Sequence, residues 1–388
     1  MANWLTRLTG GGSRSADEQK SAQGYVKLSE LTGFGDASWS ARSFPSLVQQ
    51  GFARNPIVYR CVRLIAESAS MLPVRARDGA EALSDHPALK LLRRPNPRMS
   101  GMELMEALYA YLQTAGNAYL EAAVADGEIK GLHVLRPDRM QAIAGPDGWT
   151  RAYTYTVGGR TTTLSQEPAP VPRVLHLTLF DPLDDHYGMS PLQAAQQSVD
   201  IHNAAARWNK SLLDNAARPS GALVYSVAQG NLSAEQFERL KSELEQGFAG
   251  AANAGRPMVL EGGLDWKTIA MSPKDMDFIE AKHTAAREIA LAFGVPPMIL
   301  GIPGDNTYAN LVEANRALWR QTIVPLLRRV LTDLSAWLAP VFGDEFALEP
   351  ELDGIDALAE DRGALWARVT AAGFLSDEEK RRLLGLTE

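Results

Sequence analysis

Cysteine is nearly absent. Cys61 stands alone among 388 residues, which excludes an intramolecular disulfide and any cysteine-based zinc site. No run reaches the roughly 18 uncharged apolar residues that a bilayer span needs, and the opening MANWLTRLTGGGSRS lacks the apolar centre of a secretion signal. These absences predict a soluble, unexported protein in a reducing compartment, with no membrane partner. Positive charge is also scarce. The 39 Lys and Arg against 46 Asp and Glu leave a formal net charge of −7, and no long Lys/Arg run offsets it, which disfavours a chain that clings to nucleic acid by charge alone. The common catalytic plans are missing as well: there is no G-x-x-x-x-G-K-[ST] loop for a triphosphate, no G-x-G-x-x-G after a strand, no H-E-x-x-H and no G-x-S-x-G.

What is present is the composition of a folded protein, 45% hydrophobic and 22% charged, long enough for about two to three average domains. Residues 1–50 carry Gly10-Gly11-Gly12-Ser13 and no sustained period, so a flexible arm is expected there, with at most a short turn over 4–8. A helix is predicted over 55–70, where Pro56 suits a first turn and Val58, Cys61, Val62, Ile65 and Ala69 recur at helical spacing, which makes Cys61 a small core residue. After the Asp78-Gly79 turn come a short segment at 86–92, with His86 at a turn or helix start, and the breaker Pro95-Asn96-Pro97. A second helix follows at 100–114, with Ser100 and Glu103 forming a capping box. Alternation then takes over: hairpins at 118–124/129–135 and 153–157/160–163 and a strand at 174–179 predict an antiparallel β layer, hence an α+β fold.

From Ser190 the pattern is helical to about residue 217. A small α/β insert is expected over 221–274, with strands at 222–227, 258–260 and 266–270 and a helix at 233–248 whose Ser233 and Gln236 form a capping box. A helix at 275–293 ends at Gly294 and Pro296-Pro297. Residues 301–310, GIPGDNTYAN, are expected to loop before a long helix at 311–338, bent at Pro325. Two short helices are predicted within 346–388, the last capped by Ser376 with Glu379. No repeat of 20–50 residues is visible.

Candidate chemistry is thin. Asp181, Asp184, Asp185 and His186 offer four oxygen and nitrogen ligands in six residues, the one grouping on which a metal-dependent hydrolase could be built. Aspartates flanking Pro182 and preceding Gly188 are also ordinary turn residues, the preferred reading. His202 and His283 lie on helices without acidic or cysteine partners four residues on, which suits structural histidines. Leu311, Ala314, Leu318, Trp319 and Ile323 are spaced as a packed helix face, with Arg316, Arg320, Arg328 and Arg329 solvated or paired. No catalytic residue, metal ligand or cofactor is assigned.

Several short motifs occur in a fixed order: Asn55-Pro56 with its helix, Gly188-Met189-Ser190-Pro191-Leu192 after the β layer, Leu260-Glu261-Gly262-Gly263-Leu264 with Trp266, Ala286-Arg287-Glu288-Ile289-Ala290, Phe293 through Gly301, and the closing GFLSDEEKRRLLGL with Glu379 and Arg382. In that order they resemble the portal proteins of long-tailed bacteriophages, including the portals of phage-derived gene transfer agents, over about residues 50–388. The resemblance implies a non-enzymatic homo-oligomeric ring, usually of twelve subunits, at one capsid vertex of a virion or phage-like particle assembled in the host cytoplasm, through which double-stranded DNA is packed and later leaves. It further implies a wing at 51–190 and 311–345, stem helices at 191–220 and 275–300, a small α/β clip at 221–274, a tunnel loop at 301–310 and a short helical crown at 346–388, too short for a long barrel. Gly301, Pro303, Gly304, Asp305, Asn306 and Thr307, with Lys210 and Lys282, become candidates to face DNA, and Lys274 and Arg287 could add phosphate contacts. Glu235, Glu238, Arg239, Lys241, Glu243 and Glu245 become candidates for docking a terminase ATPase and then a head-tail adaptor, with the major capsid protein as a further partner. Residue physics agrees. A mildly acidic subunit lets a duplex slide, since few phosphates are neutralised, and Ala204, Ala205, Ala206, Ala285 and Ala286 suit close helix approach between neighbouring subunits.

Overall fold

A computed structural model describes residues 43–384, apart from 80, 84, 169, 215–220, 226–232, 234, 236–237, 240–241, 243–263, 269–277 and 305–307. Helix α1 (Phe44–Leu47) runs into a π turn at Val48–Phe52, and Leu47 is buried in the main core. This corrects the expected arm of 1–50 at its last residues, where Leu47 is seated in the core. The turn expected at 4–8 lies outside the described residues.

Asn55 caps α2 (Pro56–Ser70), its Oδ1 accepting the Ile57 and Val58 N–H groups at 3.0 and 3.2 Å. The buried stripe is the predicted one, Cys61 included, and burial pushes the Cys61 thiol up to about 12, away from any nucleophilic role. Strands β1 (Val74–Asp78) and β2 (Glu81–Leu83) make a hairpin, with Gly79 at φ 56°. His86 Nδ1 accepts the Ala88 N–H at 3.2 Å and so starts α3 (Pro87–Arg93). Helix α4 (Gly101–Ala115) has the complete Ser100/Glu103 capping box and ends on Gly116 at φ 71°. It packs against α2, and the two supply much of the principal core.

The β layer is two antiparallel three-stranded sheets. Chain order gives β3 (Asn117–Ala125), β4 (Glu128–Leu135), β5 (Met140–Ala144), β6 (Thr150–Val157), β7 (Arg160–Ser165) and β8 (Val174–Thr178), arranged β4-β3-β8 and β5-β6-β7. Tyr119, Leu135, Met140, Tyr153, Leu164 and Val174 form a second core joining the two sheets.

Ser190 caps α5 (Pro191–Ala194), and after Ala195 the helical path resumes as α6 (Gln196–Asp214). The insert contributes the antiparallel pair β9 (Gly221–Tyr225) and β10 (Leu264–Thr268). Gln236, most of the expected helix at 233–248 and the strand at 258–260 lie outside the described residues. Helix α7 (Phe278–Ala292) packs along α6. Ala205, Ala285 and Ala286 are buried within the subunit, whereas Ala204 is exposed. The small side chains expected between subunits are thus in part used inside one.

Helix α8 (Tyr308–Leu318) begins three residues before the expected 311, because the Gly/Pro breakers end at Gly304 and Ala309 favours a helix. A π turn at Trp319–Ile323 leads into α9 (Val324–Phe342), so a widened turn directly precedes Pro325 and leaves the helical path continuous. Leu311 is 45% exposed, so the packed face expected from 311 begins only at Leu318. Arg316 pairs with Glu313 and Glu360, and Arg320 with Asp361. The expectation of helices alone in 346–388 is also corrected. Strand β11 (Phe346–Pro350) pairs with β1, Val74 opposite Pro350, before α10 (Ala359–Ala371) and α11 (Asp377–Leu383), the latter with its Ser376/Glu379 capping box. Among the described residues no helix is long and apolar enough to cross a membrane.

Candidate functional site

The loop expected to meet DNA rises from a rigid base. Gly294, at φ 66°, ends α7 in a Schellman arrangement: its N–H reaches Leu291 O and the Val295 N–H reaches Ala290 O, both at 2.9 Å. Thr322 Oγ1 donates to Gly294 O at 2.6 Å, tying this helix end to the π turn. Pro297–Leu300 makes one 3₁₀ turn and Gly301 reverses the chain at φ 71°. Ile302 is then buried against Ala286 and Ala290 of α7, flanked by Ile57 and Leu300. Arg287 donates to Pro303 O, so the guanidinium suggested for phosphate holds the loop's own backbone. Gly301, Pro303 and Gly304 are exposed, and Asp305, Asn306 and Thr307 lie outside the described residues.

The two lysines proposed with this loop differ in setting. Lys210 is exposed on α6, whereas Lys282 is half-buried on α7 and its charge helps depress the His202 pKa. Of the clip candidates, Glu235, Glu238 and Arg239 are exposed; Lys241, Glu243 and Glu245, like Lys274, lie outside the described residues.

Two buried polar junctions fix the packing, one joining the start of α2 to α6 and one joining the start of β3 to the segment before α5. Asn55 Oδ1 is committed to its cap, so Asn55 Nδ2 donates to His202 Nδ1 at 3.1 Å and to Asn203 Oδ1 at 3.0 Å, and Asn203 Nδ2 donates to Gln50 O at 2.8 Å. At the second junction Asn117 Oδ1 accepts the Gly188 N–H at 2.8 Å while Asn117 Nδ2 donates to Gly188 O and Ala115 O. His176 Nε2 therefore donates to Asn117 Oδ1 at 3.0 Å, leaving Nδ1 to accept from Tyr153 Oη at 3.0 Å. Sequence reasoning found the Gly188 motif but missed Asn117, His176 and Thr322, whose partners are set by the fold alone.

Burial lowers both histidines to about 4, with Lys282 and His283 adding to the effect at His202 and His186 at His176. Each is about 6.5 when unfolded, so between pH 6.5 and 4 the unfolded chain binds more protons and stability must fall with pH. Thermal unfolding followed from pH 7.5 to 4.5 is expected to show a declining melting temperature whose slope weakens in His176→Gln. An unchanged slope in that variant would show that His176 is not the group responsible.

The acidic cluster holds no metal-like grouping. Asp181 Oδ1 accepts the Leu183 N–H at 2.9 Å, and Asp184 Oδ1 accepts those of His186 and Tyr187 at 2.8 and 3.0 Å. His186 Nδ1 meets Thr150 Oγ1. These are aspartate-capped turns, and among the described residues no set of three or more His, Cys, Asp or Glu side chains could hold a metal ion. Among the described residues the proposed hydrolase cluster therefore has no metal site.

Comparison with known proteins gives a consistent picture. The phage portal protein family matches residues 56–385. The probable portal protein of Streptomyces phage phiC31 is 28% identical over 85% of this chain and 74% of its own length. A chain in the neck of an empty GTA particle, computed with C6 symmetry, is 52% identical over 93% of this chain and 98% of that one, with a TM-score of 0.72. A chain in the neck of a native GTA particle, computed with C12 symmetry, is 51% identical over 93% of this chain and 98% of that one, with a TM-score of 0.69.

Proposed function

The chain belongs to the phage portal protein family, and from that premise we propose that it is the subunit of a portal ring, a channel for DNA packaging and ejection that also joins head to tail. The observation that carries this is the 52% identity and TM-score of 0.72 with a GTA neck chain across 93% of the sequence. As a portal subunit it is an assembly component. Twelve copies close the ring, in keeping with the C12 symmetry used for one of the similar necks. The paired helices α6 and α7 form the stem, and the tunnel loop lies between Ile302 and α8, anchored at its start by Ile302 on α7 and by Arg287 on Pro303 O.

The clip at 221–274 docks the terminase ATPase during filling and the head-tail adaptor afterwards, through the charged positions around Glu235, Glu238 and Arg239. ATP hydrolysis belongs to that partner, because this chain carries no phosphate-binding loop. The wing meets the major capsid protein at the vertex of a phage-like particle, and the ring assembles in the host cytoplasm. The acidity of the subunit suits a conduit: at −7 per chain the duplex is guided rather than gripped. Negative-stain images of the purified protein test the reading. Rings with a central hole wide enough for a duplex are expected, and a pore-free monomer at every protein concentration, alone or with its particle components, would overturn it.

A further inference from the structure

One stretch of this acidic chain is strongly basic. Between Asp85 and Glu103 there is no acidic residue, while Lys90, Arg93, Arg94 and Arg98 contribute four positive charges. Lys90 is paired with Asp85. Arg93, Arg94 and Arg98 are exposed, and their guanidinium groups have no hydrogen-bond or ion-pair partner among the described residues.

The backbone that carries them is fixed. Pro95 O accepts the Leu132 N–H at 2.8 Å, and the Asn96 side chain, buried beneath the turn, donates to Leu132 O at 2.9 Å and accepts the Arg98 N–H at 2.9 Å. The turn thereby covers the free edge of β4, and Gly131 permits the approach, since a Cβ there would sit 2.9 Å from Pro95 O. Residues 93–98 expose no large apolar side chain. A protein interface is anchored by buried apolar or aromatic groups, and this turn offers none. A guanidinium fork instead matches phosphate oxygens, and a preordered backbone lowers the entropic cost of meeting them.

We infer that the Arg93, Arg94 and Arg98 turn is a phosphate-backbone contact for double-stranded DNA, separate from the tunnel-loop and stem positions. The inference rests on the portal reading for the presence of DNA, but its test does not require a ring.

Binding of a fluorescent 30-base-pair duplex to the full chain is measured against salt. The triple variant Arg93→Gln, Arg94→Gln, Arg98→Gln is expected to flatten the slope of log K against log salt by about 2.7, on the basis of about 0.9 per neutralised phosphate. Raising salt from 50 to 200 mM would then cost this variant about 40-fold less affinity than the parent. The charge-keeping triple Lys variant should retain the parental slope, which separates lost contact from lost folding. A Lys210→Gln, Lys282→Gln double variant reports any stem contribution separately. An unchanged slope in the triple Gln variant, or equal loss in the triple Lys variant, would overturn the assignment. So would displacement of the duplex by polyglutamate at equal charge concentration through these arginines, which would make an acidic protein the partner. A missing ring with an intact arginine-dependent slope would count against the portal reading alone.

Discussion

Gly188→Ala is expected to abolish the stable fold. A Cβ at Gly188 would lie 2.3 Å from Gly116 O and 2.4 Å from Leu179 O, both backbone atoms without a rotamer to move aside. The approach runs both ways, because Gly116 sits at φ 71° and a Cβ there would lie 2.4 Å from Gly188 O. Three hydrogen bonds lock the contact: Leu179 N to Gly116 O at 2.8 Å, Gly188 N to Asn117 Oδ1 at 2.8 Å and Asn117 Nδ2 to Gly188 O at 3.0 Å. Separating the two segments enough to admit a methyl breaks these bonds and leaves buried groups unpaired, at about 1–3 kcal/mol each. The total is about 3–9 kcal/mol, a large part of the stability of an ordinary domain. Gly363→Ala is the control: it lies exposed within α10 and its added Cβ meets nothing within 4 Å, so it should stabilise by about 0.5–1 kcal/mol. Melting temperature and soluble yield read both. A Gly188→Ala protein that melts with the parent would show that the two segments can part at little cost.

The contrast between those glycines separates what could be read in the sequence from what could not. Local signals were legible: the Asn55-Pro56 start of α2, the capping boxes at Ser100 and Ser376, and the Gly294 end of α7 each depend on residues within one turn of chain. The Gly116–Gly188 contact depends on segments brought together across 72 positions, and β11 pairs with β1 across 272. Nothing in either segment alone names its partner. The five residues of β11 follow a helix and precede others, so helical expectation carried through them, and only the unpaired edge of β1 calls for a strand there. The candidate site divides in the same way. Its glycines and proline announce a turn, but its anchors are a backbone carbonyl held by Arg287 and an isoleucine seated on two alanines, and neither has a motif.

Those anchors allow the loop to be tested without disturbing α7. Replacing 304–307 with two glycines keeps Ile302 against Ala286 and Ala290 and keeps Pro303 O on Arg287, so melting temperature and ring assembly should match the parent. What the variant removes, on the portal reading, is a collar of uncharged or acidic groups, Gly304, Asp305, Asn306 and Thr307 from each copy. Such a collar restrains a duplex by shape while its charge discourages tight binding to phosphates. Particles assembled with this variant are expected to hold DNA at least about tenfold less often, the change produced by losing about 1.4 kcal/mol of restraint on the duplex. The measure is nuclease-protected DNA per assembled particle. Full-length, fully retained DNA would remove the loop from the channel. Failure of the rings to form would instead make 304–307 an assembly contact, because the retained anchors leave no reason for the subunit itself to unfold.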